Sequence, residues 1–213
     1  MLASVFYPQG AGPFPIIVWL HASGGFQLND VKMAQDFAKA GFIGVAVGWF
    51  GGHYSRGTPV ASWPDAIDWA NSPDISNQGT LIENIKSFIV TVRTLPKTRK
   101  DWLGLIGHSA GSGTSITIAA TGADVQAVVA LAGYPQYTPL DWLQAPVLIL
   151  QGTADDLINA DEARAFEEKL RSLGKPFESY YYEGADHMFP YNAPWREDML
   201  QRAVAFFTKY LVP

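Results

Sequence analysis

The sequence predicts an α/β fold in which a mostly parallel, doubly wound sheet carries helices on both faces. Three observations predict it. Short apolar runs alternate with longer segments of helical pattern, the order from which right-handed strand-helix-strand crossovers are built. Several of those runs are apolar throughout, as strands are when helices cover both faces of a parallel sheet. Residues 103–111 read Leu-Gly-Leu-Ile-Gly-His-Ser-Ala-Gly, an apolar run that ends in Gly-x-Ser-x-Gly and passes into a stretch of small residues.

Taken in order, strands are expected at 3–7, 16–20, 43–47, 103–106, 127–131, 147–150 and 177–182. Each is rich in β-branched or aromatic residues, and most are closed by Gly, Pro or polar turn residues. Helices are expected at 29–40, 79–95, 109–121, 160–173 and 195–211, where the pattern turns helical or, at 109–121, the residues turn small. The segment 48–79 resists this scheme. It holds Trp49, Phe50, His53, Tyr54, Trp63 and Trp69 among glycines and prolines, without a strong period. A connection of this length suits a functional loop, and its aromatics suit the wall of an apolar pocket.

The chain has 213 residues, 48% apolar and 16% charged. That fits one compact α/β domain spanning 1–213. A formal charge of −5 argues against nucleic acid or an anionic membrane as partner. The densest basic cluster, Lys97-Thr98-Arg99-Lys100, reads as a solvated loop. There is no cysteine, so disulfides, thiolate catalysis and Cys-based zinc sites are excluded. No apolar run approaches the roughly 18 residues of a membrane span. Met1-Leu2-Ala3-Ser4 shows no signal-peptide pattern, so a cytoplasmic location is expected. Nothing in the sequence fixes an oligomeric state.

The serine at 109 stands at the apex of a predicted strand-turn-helix. Glycines at 107 and 111 let strand and helix pass closely. The helix N-terminus then aims backbone N–H groups at the place where negative charge would develop. A serine hydroxyl needs a base, and a histidine base needs a carboxylate to hold its tautomer. Of four histidines, His108 adjoins the serine and reads as structural or pocket-lining. His21 ends a strand and reads as a loop organiser. His53 lies in the aromatic segment. His187, in Glu183-Gly184-Ala185-Asp186-His187 after the last strand, is the only one downstream of the serine and is the expected base. The expected acid follows the strand at 147–150, in Gln151-Gly152-Thr153-Ala154-Asp155-Asp156. Spacing leaves Asp155 and Asp156 equally open.

With these motifs in place the chain resembles an α/β-hydrolase, and within that fold the dienelactone hydrolase-like and prolyl-oligopeptidase-like esterases. The order Ser109, Asp155, His187 is the order of that fold. The family's Gly-x-x-Asp matches Gly152-Thr153-Ala154-Asp155, which implies Asp155 as the acid. The Gly-Ala-Asp-His stretch matches its histidine loop. The resemblance further implies an oxyanion hole from the backbone N–H groups of Ala110 and of Ser23, in His21-Ala22-Ser23-Gly24-Gly25. Two departures stand out: Ala22 replaces a glycine, and a serine stands where dienelactone hydrolases use cysteine.

The resemblance implies a serine hydrolase for small carboxylic esters of short to medium acyl chain, acting through an acyl-enzyme without metal or organic cofactor. The stretch between Leu131 and Val147 is too short for a cap domain. Walls are therefore expected from Trp49, Phe50, His53, Trp63, Trp69, Tyr134 and Tyr137. A peptidase, a dienelactone-type lactone hydrolase and a non-catalytic binding module are the alternatives.

Overall fold

The computed structural model describes residues 1–49, 75–136 and 138–212. The expected pocket residues Phe50, His53, Trp63, Trp69 and Tyr137 lie outside the described residues.

Seven strands form one sheet: β1 (Leu2–Phe6), β2 (Phe14–Leu20), β3 (Ile43–Gly48), β4 (Thr98–His108), β5 (Ala127–Leu131), β6 (Val147–Gly152) and β7 (Phe177–Tyr182). Their spatial order is β1-β3-β2-β4-β5-β6-β7. β1 pairs antiparallel with β3, and the other pairs are parallel. The helices are α1 (Leu28–Lys39), α2 (Ile75–Val92), α3 (Ala110–Ala120), α4 (Ala160–Ser172) and α5 (Trp195–Leu211).

Strand alternation divides the core in two. In β2, Ile16, Val18 and Leu20 point to the face covered by α2, α3 and α4, where they meet Ile85, Ile116 and Phe166. Ile17 and Trp19 point to the face covered by α1 and α5, where they meet Met33, Phe37, Ala203 and Phe207. β3, β5 and β6 are buried along their whole length, because both faces are covered. The chain leaves β2 toward β3 and returns past β2 to β4, so strand order reverses between β2 and β4. In such sheets a crevice opens beyond the carboxyl ends of the strands at that reversal. His21 follows β2 and Ser109 follows β4.

Two boundaries differ from expectation by more than three residues. β4 begins at Thr98, so the basic cluster that reads as a loop is instead its exposed first half. Helix α2 begins at Ile75, ahead of Gly79. Between β5 and β6 the described residues form neither helix nor strand.

Candidate active site

β4 delivers the serine to the carboxyl edge of the sheet. Ser109 has φ 55° and ψ −117°, a conformation that a residue with a side chain adopts only under strain. Neighbouring bonds hold it there. Its N–H donates to the carbonyl of Leu131 at 2.8 Å, and its own carbonyl accepts from the N–H groups of Ser112 and Gly113. Gly107 and Gly111 make room for the turn. A Cβ on Gly107 would lie 2.2 Å from the backbone of Gly111, and one on Gly111 would lie 2.2 Å from the carbonyl oxygen of Leu20. No side chain fits at either position. Ala110 is the first residue of α3, so its N–H belongs to the free first turn of a helix.

The acid and the histidine come from loops after β6 and β7. These loops are joined: Thr153 N–H donates to Tyr182 O, Ala154 N–H to Ala185 O, and Gly184 N–H to Thr153 Oγ1. The result brings His187 Nδ1 to 2.9 Å from Asp155 Oδ2. The Asp155 carboxylate is filled on both oxygens. Oδ1 accepts from the N–H groups of Leu157 and Ile158 at 2.9 and 2.8 Å. Oδ2 accepts from His187 and, at 3.0 Å, from the Gln151 side chain. Burial alone would raise the carboxyl pKa, but the bonds from His187, Ile158 and Leu157 outweigh it and hold the pKa below the usual carboxylate value. Asp155 is therefore ionised and fixes the Nδ1–H tautomer of His187, which leaves the lone pair on Nε2. Asp156 is exposed and takes no part in this pairing.

The loop after β2 is tied from beneath. His21 is fully buried, and its Nδ1–H donates to Ala22 O at 2.7 Å. Its Nε2 accepts from the backbone N–H of Trp49 at 3.3 Å. Burial lowers its pKa to about 4, so it serves as a neutral strut. Ala22 O also accepts from Gly25 N–H, which closes the turn holding Ser23. The replacement of glycine by Ala22 causes no strain, because Ala22 is not among the residues of positive φ.

Two expected wall residues, Trp49 and Tyr134, lie among the described residues. Trp49 is a core residue: it is fully buried, and its indole N–H donates to His21 O at 3.0 Å. It braces the His21 carbonyl from within the core. Tyr134 is half-buried. Its ring stacks on Phe166 of α4 at 5.5 Å, and burial together with its bond to Glu162 pushes its hydroxyl pKa up. It is packed against the helix, although the Asp155 charge reaches it.

Sequence reasoning missed Gln151. This buried amide also donates to the carbonyl of Ile158 at 2.9 Å, so it holds both the carboxylate and the loop beyond it. The signal was available, as a polar residue directly following the apolar run 147–150. Asp30 was missed as well. It is buried and accepts from Trp19 Nε1 at 2.7 Å and from Gln27 N–H at 2.6 Å, and burial raises its pKa.

The model of the dienelactone hydrolase family matches residues 1–211. The chain belongs to the dienelactone hydrolase family. A Synechocystis sp. protein, named provisionally as a carboxymethylenebutenolidase, is 22% identical over 218 residues, covering 94% of this chain and 88% of its own. Among solved structures, a dienelactone hydrolase-like promiscuous phosphotriesterase from metagenomic libraries matches with a TM-score of 0.82 at 19% identity, over 98% of this chain and 92% of that one. The thermophilic esterase Est2 of Thermogutta terrifontis, with propionate bound, matches with a TM-score of 0.72 at 16% identity, over 99% and 90%. At these identities the solved structures speak for the fold. As a dienelactone hydrolase family member, the chain is a hydrolase of the α/β-hydrolase fold. Among its described residues no helix is long and apolar enough to cross a membrane.

Proposed function

We propose that this dienelactone hydrolase family member is a serine carboxylesterase with Ser109 as nucleophile, His187 as general base and Asp155 as the residue that orients it. The observation that carries this reading is the His187 Nδ1 to Asp155 Oδ2 pair at 2.9 Å, on the same sheet edge as the strained Ser109. His187 Nε2 takes the Ser109 proton as Oγ attacks the ester carbonyl. The backbone N–H groups of Ala110 and Ser23 meet the oxyanion, a contribution of about 3 kcal/mol per donor in comparable sites. The tetrahedral intermediate collapses as His187 returns the proton to the leaving alcohol. Water, deprotonated by His187, then attacks the acyl-enzyme, and the acid leaves as His187 gives that proton to Ser109 Oγ.

A lactone is an internal ester, and the same steps would open one. The family match and the carboxymethylenebutenolidase name of the Synechocystis relative favour testing lactones beside open-chain esters. Purified protein should hydrolyse p-nitrophenyl acetate and butyrate and react with a fluorophosphonate. Ser109→Ala should abolish both while leaving the circular dichroism spectrum unchanged. Retained labelling in Ser109→Ala would refute the assignment. A dienelactone turned over faster than any open-chain ester would move the substrate class to lactones.

A further inference from the structure

We propose that His108 is a positioning residue for His187: its Nε2–H holds the backbone carbonyl of His187, and its ring packs against the His187 imidazole. The inference rests on the triad reading above. His108 ends β4 one residue before Ser109 and is fully buried. Its Nε2 lies 2.8 Å from His187 O, across 79 residues of sequence. The two imidazole centroids are 4.8 Å apart and tilted by 39°. Tyr191 closes the far side edge-on, at 5.2 Å and 82°.

The geometry fixes the proton. A carbonyl only accepts, so Nε2 of His108 carries the hydrogen and Nδ1 is bare. That Nδ1 is buried and has no hydrogen-bond partner among the described residues. A buried ring nitrogen without a partner is costly. A phenylalanine would fill the same space without that cost, and what it would lack is the Nε2 donor. The donor ties the segment that carries Ser109 to the segment that carries His187.

The surroundings also keep His108 uncharged. The ionisable groups that bear on it are His187 and Tyr191 from the histidine loop and Asp155 from the acid loop. Burial, and then the charge of His187, lower its pKa to about 3. His187 becomes a cation each time it takes the Ser109 proton. A neutral neighbour at 4.8 Å does not oppose that charge, whereas a protonated one would. The same low basicity keeps His108 from competing for the proton.

Two variants separate positioning from mere packing. His108→Phe keeps a ring and removes the donor, and His108→Gln supplies an amide N–H in place of Nε2. His108→Phe should lower kcat roughly tenfold to a hundredfold with KM nearly unchanged, the loss expected when a reacting group is misplaced by about 1 Å. It should also displace the acid limb of kcat/KM to lower pH, because His187 then sits less well on the carboxylate that stabilises its charged form. His108→Gln should recover most of both effects. Wild-type kcat and pH profile in the Phe variant would overturn the proposal. So would a Gln variant no better than the Phe variant, or two variants with lowered Tm but an unchanged acid limb.

Should the Phe variant fail to fold, the wild-type protein still decides the matter. Its histidine ¹H–¹⁵N correlations should contain a neutral Nε2–H tautomer that does not titrate between about pH 5 and 8 and vanishes in His108→Gln. If the signal lost in His108→Gln titrates over that range, or is that of an Nδ1–H tautomer, the proposal is overturned. Ser109→Ala is the control. If it stays active, the triad reading falls and takes this inference with it. If it is inactive while His108→Phe behaves as wild type, only this inference falls.

Discussion

His187 Nδ1 lies 2.9 Å from Asp155 Oδ2, while Asp156, one residue further on, faces solvent. Adjacent carboxylates thus have unequal standing. Asp155→Asn removes the acceptor that fixes the histidine tautomer, and ester hydrolysis should fall by roughly 10⁴ in kcat. Asp156→Asn should leave kcat within about twofold. Steady-state kinetics on one p-nitrophenyl ester measures both, and equal losses would place the acid elsewhere.

The backbone of Ser109, at φ 55° and ψ −117°, predicts a gain in stability from a change that destroys activity. Glycine adopts that conformation freely, so Ser109→Gly should release strain of about 1–3 kcal/mol. Against this stands the extra freedom of glycine in the unfolded chain, about 0.5–1 kcal/mol. A net rise of about 1 kcal/mol should appear as a higher urea midpoint at unchanged m, with esterase activity lost. A lower midpoint would mean that the elbow carries no strain for glycine to relieve.

The legibility of these features differed for physical reasons. The inner strands β3, β5 and β6 could be read because burial on both faces leaves apolar runs. The first half of β4 could not, since Thr98–Trp102 is largely exposed and polar there. The start of α2 was misjudged because Gly79, a poor helix former, lies inside the helix. Ser109, Asp155 and His187 were singled out because each belongs to a local motif that follows a strand. Trp49 was read as pocket wall from its place near a strand end, and sequence does not show the carbonyl of His21 that its indole finds. His108 meets the carbonyl of His187 across 79 residues of sequence, and no local pattern announces such a contact.

Two buried histidines predict acid sensitivity. Burial lowers His21 from the ordinary 6.5 to about 4 and His108 to about 3. Both are neutral in the fold and protonated in the unfolded chain over that interval. The unfolded state then binds more protons, so stability rises with pH up to about 6.5 and falls as pH drops below it. Each histidine contributes a slope of about 1.4 kcal/mol per pH unit while only the unfolded state is protonated. Asp155, whose pKa is lowered in the fold, adds a loss in the same direction at more acid pH. Urea midpoints between pH 4 and 8 should therefore decline steeply below about 6.5, and the decline should be shallower in His108→Gln. A midpoint constant from pH 7 to 4.5 would show that these rings are protonated within the fold.

The connection between β5 and β6 predicts substrate size. Its described residues form neither helix nor strand, and Leu140 and Leu143 within it are buried in the core. The described residues of this connection therefore supply no helical cap. Each methylene of an acyl chain contributes up to about 0.8 kcal/mol when an apolar wall covers it, and nothing when it stays in water. Hydrolysis of p-nitrophenyl esters should therefore improve from acetate to butyrate or hexanoate and then level or fall. With no cap here to open on an oil surface, the rate should rise smoothly through the solubility limit of the substrate. A palmitate ester cleaved faster than butyrate, with a jump at its micellar threshold, would mean that a lid covers the site and that another part of the chain supplies it.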